Sequence, residues 1–206
     1  MAPQTDSPEP RPSGSGRSAE ISDPVRIRAL AHPLRLALLD YLDKVPEGTA
    51  TQCAAATGAS VASCSYHLRI LAKHGYIEQV QQPGREKPWR SPQQSRTHSV
   101  DPAVPGSQHA LAALSGLLVT RESERIMDWV RTSGDLASED VDAASILKST
   151  FYATPAELKA LREDIMELLD QLAPRRTNPA LRPPGSREVH YFSVTNFEPV
   201  PSPDAP

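Results

Sequence analysis

"GASVASCSYHLRILAKHGYI", residues 58–77, decides how the rest of this chain is read. It opens on a glycine, continues through a helix whose first turns carry small hydroxyls, and stops at Gly75 before an apolar dipeptide. Ser60 is placed to cap a helix running from about Val61 to His74. Cys64, Leu68 and Leu71 share one side at i, i+4 and i+7, and that side packs inward. Ala62, Ser63, Ser65, Tyr66 and Arg69 are left on the outer side. Small hydroxylic residues with one Arg fill a core poorly but approach a phosphate or a base edge closely. The helix reads as one built to be inserted into something.

Working outward, Thr49 caps a short helix, "ATQCAAAT" (50–57), and Gly58 ends it where a left-handed residue is easiest. Two short helices joined by a Gly-containing turn of three to four residues make a helix-turn-helix unit. Further upstream, "DPVRIRALAHPLRLALLDYLDKV" (23–45) begins with Asp23 as a cap and Pro24 at the first helical position. Pro33 divides it in two, because His32 before it is pushed away from helical angles. Leu34, Leu38, Tyr41, Leu42 and Val45 then mark a buried face, widened by Leu36 and Leu39. Downstream, "YIEQV" (76–80) alternates like a half-buried strand, "QQPGREK" (81–87) turns, and "PWRSP" (88–92) returns. This hairpin carries Arg85, Lys87 and Arg90 and reads as a basic wing, with Trp89 anchoring it to the body.

Together, "IRALAHPLRLALLDYL" (27–42) and "SVASCSYHLRILAKHGYIEQV" (60–80) resemble the ArsR/SmtB-like winged-helix regulators. The second segment carries that family's Ser-x-His-Leu-x-x-Leu pattern at Ser65, His67, Leu68 and Leu71, followed by Gly75 and a strand. The resemblance covers roughly residues 22 to 92 and implies DNA-facing positions at Ser60, Val61, Ala62, Ser65, Tyr66 and Arg69. Val61 departs from a glutamine common in the family at the helix start, which removes a bidentate base contact. Metal-responsive members carry a Cys-x-Cys in the preceding helix or His/Asp/Glu sets on terminal helices. Here that helix holds only Cys53. Cys53 and Cys64 fit inward-facing core positions, and a zinc site needs three or four ligands. No metal or cofactor is expected, and His67 reads as a packed residue that fixes its helix on a neighbour.

Composition sets the boundaries. The 206 residues include 21 prolines, clustered at the ends. Residues 1–20, with Pro3, Pro8, Pro10 and Pro12 among Ser, Gly and charges, bury too little surface to offset ordering, and 198–206 reads the same way. No apolar run reaches membrane-spanning length and no secretory signal is legible, so a cytoplasmic location is expected. Between Pro24 and Arg96 there are ten Lys/Arg against five Asp/Glu; between Ser107 and Ala173 there are six against twelve. A basic module precedes an acidic one, and a locally positive domain can meet phosphate.

The second half is read more coarsely. Residues 96–106 form a linker. "HALAALSGLLVTRESERIMDWVRTS" (109–133) is a long helix, apolar nearly all round in its first half, which suggests a dimer interface or a core helix of its own module. "SILKSTFY" (145–152) and "REVHYFSVTNF" (187–197) alternate like strands. Between them Thr154, Pro155 and Glu157 form a capping box before a helix with a Leu158, Leu161, Ile165, Leu168, Leu172 seam. A small effector would fit between that sheet and the long helix beside Trp129, Phe151, Tyr152, Tyr191 and Phe192, although aromatics so spaced more often form core.

The expected fold class is α+β, mostly α: a tail (1–20), a winged helix-turn-helix domain (21–95), a linker (96–106), a helical dimerisation and effector module with a small β-sheet (107–197), and a second tail (198–206). The expected function is a non-enzymatic, homodimeric, double-stranded-DNA-binding repressor with no membrane association. The rival is a winged-helix protein–protein module that binds no DNA.

Overall fold

The structure, a computed structural model, describes residues 19–81, 87–92, 96–135, 140 and 144–198. Strand β1 (Ala19–Ile21) leads into α1 (Pro24–Leu30), α2 (Pro33–Lys44), α3 (Ala50–Thr57) and α4 (Val61–Lys73). Short strands β2 (Glu78–Gln79), β3 (Trp89–Arg90) and β4 (Arg96–His98) follow, then the long α5 (Ser107–Thr132). After a 3-10 turn at Ser133–Asp135 come α6 (Pro155–Asp170), α7 (Pro174–Thr177) and a second 3-10 turn at Pro179–Leu181.

Local chemistry sets most of these limits. The Asp23 side chain accepts the Val25 N–H at 2.9 Å, and Thr49 and Gln52 form a reciprocal capping box on α3. Each such cap stabilises its helix by about 1 kcal/mol. Gly58 closes α3 at φ 71°, a left-handed conformation that L side chains rarely adopt. Pro33 separates α1 from α2 as its position requires, and His32 caps the second of them through its ring.

The core lies among α1–α4. Ile27, Leu30, Leu36, Leu38, Leu39, Leu42, Leu68, Leu71, Tyr76 and Ile77 are buried there with Cys53 and Cys64. The antiparallel wing pairs Glu78 with Arg90 and Gln79 with Trp89. Trp89 also exchanges two 2.9 Å backbone hydrogen bonds with Gly48 and packs on the core, as an anchor should. Gly48 permits this approach, because a Cβ there would stand 2.9 Å from Tyr41 Cε1.

Three expectations about the second half change. The stretch read as a linker contains β4, which pairs in parallel with β1, joining Ala19 to Arg96 and Ile21 to His98. α5 does not open a separate module: Ser107, Ala110 and Leu114 are buried against α1 and join the same core. Its apolar first half is thus explained in part by packing within one chain. Finally, residues 145–152 and 187–197 form no strands. Tyr152, Leu147 and Val189 stand exposed there. Period-two alternation yields a strand only where a neighbour accepts the backbone groups and one face is buried. Among the described residues the fold is mostly helical with small β-elements, all of them in the first half of the chain.

Candidate nucleic-acid interface

α4 is fastened at both ends and underneath. At its start Ser60 Oγ accepts the Ser63 N–H at 3.1 Å. At its end Arg26 Nε donates to the His74 carbonyl at 3.0 Å, and the Tyr76 hydroxyl donates to the Arg26 carbonyl at 3.0 Å. The Arg26 guanidinium lies over the Tyr76 ring, 5.7 Å from its centroid. Burial pushes the Tyr76 phenol up to about 12, so it remains a hydrogen-bond donor throughout the neutral range. Cys64, Leu68 and Leu71 form the buried underside.

The opposite side is open. Ser60, Val61, Ala62, Tyr66 and Arg69 are exposed, Tyr66 at 61%, while Ser63 and Ser65 are half-buried. The structure therefore brings the seven expected residues of this segment onto one side of α4 and its cap. On the wing, Lys87 is exposed, and Arg90 Nε reaches Glu78 Oε1 at 2.6 Å in an exposed pair. Such a pair is worth about 0–1 kcal/mol, so Arg90 can exchange Glu78 for another anion at little cost. Arg85 lies outside the described residues.

Composition and spacing did not reveal what holds the wing in place. Arg96 donates to both carboxylate oxygens of Asp43 at 2.8 and 3.0 Å. Ser91 Oγ donates to Asp43 Oδ1 at 2.5 Å and receives a hydrogen bond from Arg96. This cluster ties the end of β3 and the start of β4 to α2, the helix against which α4 packs. Arg26, Asp43, Ser91 and Arg96 act through the placement of α4 and the wing. Apart from the Ser91–Arg96 contact, their partners are about fifty positions distant, beyond the reach of any local pattern; an Asp set between Leu42 and Val45 is the one visible trace.

Cys53 and Cys64 are the buried core thiols their spacing suggested. Burial, and then the neighbouring Cys64, push the Cys53 thiol up to about 11, so it stays a neutral thiol throughout the neutral range. Of the aromatics considered for an effector, Tyr191 and Phe192 line a shallow cavity of about 370 Å³ with Leu158, Ile165 and Leu169 of α6. Trp129, Phe151 and Tyr152 do not line it.

A capped helix held above a packed neighbour and flanked by a hairpin defines the winged helix-turn-helix class, and residues 30–80 match the family model described as a helix-turn-helix domain. Several solved structures are similar to this chain. One is the homodimeric winged helix-turn-helix DNA-binding domain of a possible ArsR-family transcriptional regulator from Mycobacterium bovis: 24% identity over 48% of this chain and 80% of that one, TM-score 0.32. Another is the AntR antimony-specific transcriptional repressor, with 27% identity over 49% and 78% and a TM-score of 0.32. A third is NolR from Sinorhizobium fredii, with 23% identity over 45% and 80% and a TM-score of 0.30. No curated protein matches the sequence significantly.

Proposed function

We propose that this chain is a transcriptional repressor that binds operator DNA as a homodimer, with α4 in the major groove and the wing on flanking phosphates. The observation that carries the reading is the exposed side of α4, where Tyr66 and Arg69 rise beside Ser65 from a helix fixed at both ends. Preorganisation of this kind suits a reading surface, because base contacts need a helix held in one register. Lys87 and Arg90 would supply phosphate contacts, and affinity would fall with salt as counterions are released.

Dimerisation is assigned to the outer face of α5, where Val119, Met127 and Val130 remain 45%, 54% and 43% exposed although the same helix is anchored in the core. Two protomers would read half-sites separated by about one helical turn, roughly 34–36 Å. Among the described residues no helix is long and apolar enough to cross a membrane.

Selection of bound duplexes from a random pool by the purified protein tests the reading. A recovered inverted repeat is the expected result. Ser65→Ala and Arg69→Ala should each weaken binding to it by about 1–3 kcal/mol wherever the residue meets a base. Failure to enrich any duplex at low salt would refute DNA binding and favour the protein–protein alternative.

A further inference from the structure

Two imidazoles lie against each other where α2 begins and α4 passes over it. The His32 and His67 ring centroids are 4.4 Å apart with their planes at 35°, and Tyr66 meets His67 edge-on at 5.1 Å. His32 is also the N-cap of α2, its Nδ1 accepting the Leu34 N–H at 3.1 Å. That bond needs a bare Nδ1, so His32 is neutral with its proton on Nε2. His67 Nδ1 is buried and has no hydrogen-bond partner among the described residues. Among the described residues the charged group acting on both rings is Arg35 of α2, and Tyr66 of α4 in turn acts on Arg35.

We propose that His32 and His67 form a proton-sensitive latch: the neutral pair holds α4 on the start of α2, and a proton on either ring releases it. A proton arriving at His32 can enter only at Nδ1. There it turns the cap's acceptor into a donor aimed at the Leu34 N–H and sets a positive charge at the positive end of a helix. A proton on His67 places a cation against Arg35 and against a second imidazole, and among the described residues no carboxylate acts on either ring to balance it.

Burial first, and Arg35 with it, lowers the pKa of His32; burial, then His32 and Arg35, lowers that of His67. The folded values therefore lie below the ordinary 6.5. The unfolded chain takes up these protons more readily, so the latch contributes fully above about pH 6.5 and is lost as pH falls below it.

The test is native-state amide exchange over residues 61–73 in the full chain, corrected for intrinsic rates, at about pH 7.5 and about pH 5.5. His32→Asn is the informative variant, because Asn is a strong N-cap that does not titrate. Protection in the wild type is expected to fall on acidification by about threefold more than in His32→Asn. An equal fall in both proteins, or none in the wild type, overturns the latch. An imidazole NMR titration of the wild type depends on no variant folding. Midpoints below 6.5 for both rings support the latch, and a midpoint at or above 6.5 for either overturns it.

Discussion

Arg96 grips Asp43 through two parallel hydrogen bonds of 2.8 and 3.0 Å, in a site where the two side chains are only 7% and 15% exposed. The pair joins β4, just after the wing, to the C-terminal end of α2, the helix on which α4 lies. Removing one partner leaves the other's charge buried and unmatched. Asp43→Ala is therefore expected to cost about 3 kcal/mol in urea unfolding, and Arg96→Met a similar amount. Replacing both by apolar residues should restore much of the loss, and a double mutant no more stable than either single one would count against this account.

Gly48 offers a steric test of the same wing. An added Cβ would meet Tyr41 Cε1 at 2.9 Å and Leu42 Cδ2 at 3.1 Å, both on α2. Gly48→Ala should destabilise the protein by about 1–3 kcal/mol through overpacking and should loosen the Gly48–Trp89 bridge. Tryptophan fluorescence in a Trp129→Phe background, where Trp89 is the single emitter, reports this, with a red shift in the folded variant as the expected sign.

Ser60 serves both as a cap and as part of the proposed reading surface, and two substitutions separate these roles. Ser60→Ala removes the acceptor for the Ser63 N–H and should lower stability by about 1 kcal/mol. Ser60→Asp keeps the cap, so stability should be close to that of wild type. Its carboxylate would face duplex phosphate and weaken DNA binding markedly. Equal affinity of Ser60→Asp and wild type for the selected operator would move the reading surface away from the start of α4.

His98 has its own pH signature. Its ring packs near Tyr76, with Nε2 3.4 Å from the hydroxyl, and burial followed by Arg96 and Arg26 pushes its pKa down to about 4. Because the folded value lies below the unfolded one, its contribution to stability is present above about pH 6.5 and is lost as pH falls towards 4. NMR should show a His98 imidazole that stays neutral well below pH 6, and His98→Gln should flatten the acid limb of the stability profile.

Residues 23–80 wrote much of their own structure locally. Asp23, Thr49 and Ser60 cap helices where their spacing placed them, Pro33 separates two helices, and Gly58 sits in the turn that needs it; in the second half Thr154 does the same for α6. The buried and open sides of α4 were legible too, because helical period alone separates Leu68 and Leu71 from Tyr66 and Arg69. These features depend on interactions spanning no more than about two helical turns.

Only the tertiary structure decided how these pieces are held and where the second half belongs. Alternation at 145–152 and 187–197 does not supply the partner strand that β-structure requires, and an apolar helix such as α5 does not name the surface it will cover. α5 went to α1 because Ala110 and Leu114 complete a core that β1 and β4 also close. The links Arg26–Tyr76, Asp43–Arg96 and His32–His67 join segments brought together by folding. Their energies depend on burial and approach distance, quantities that exist only once the chain has closed on itself.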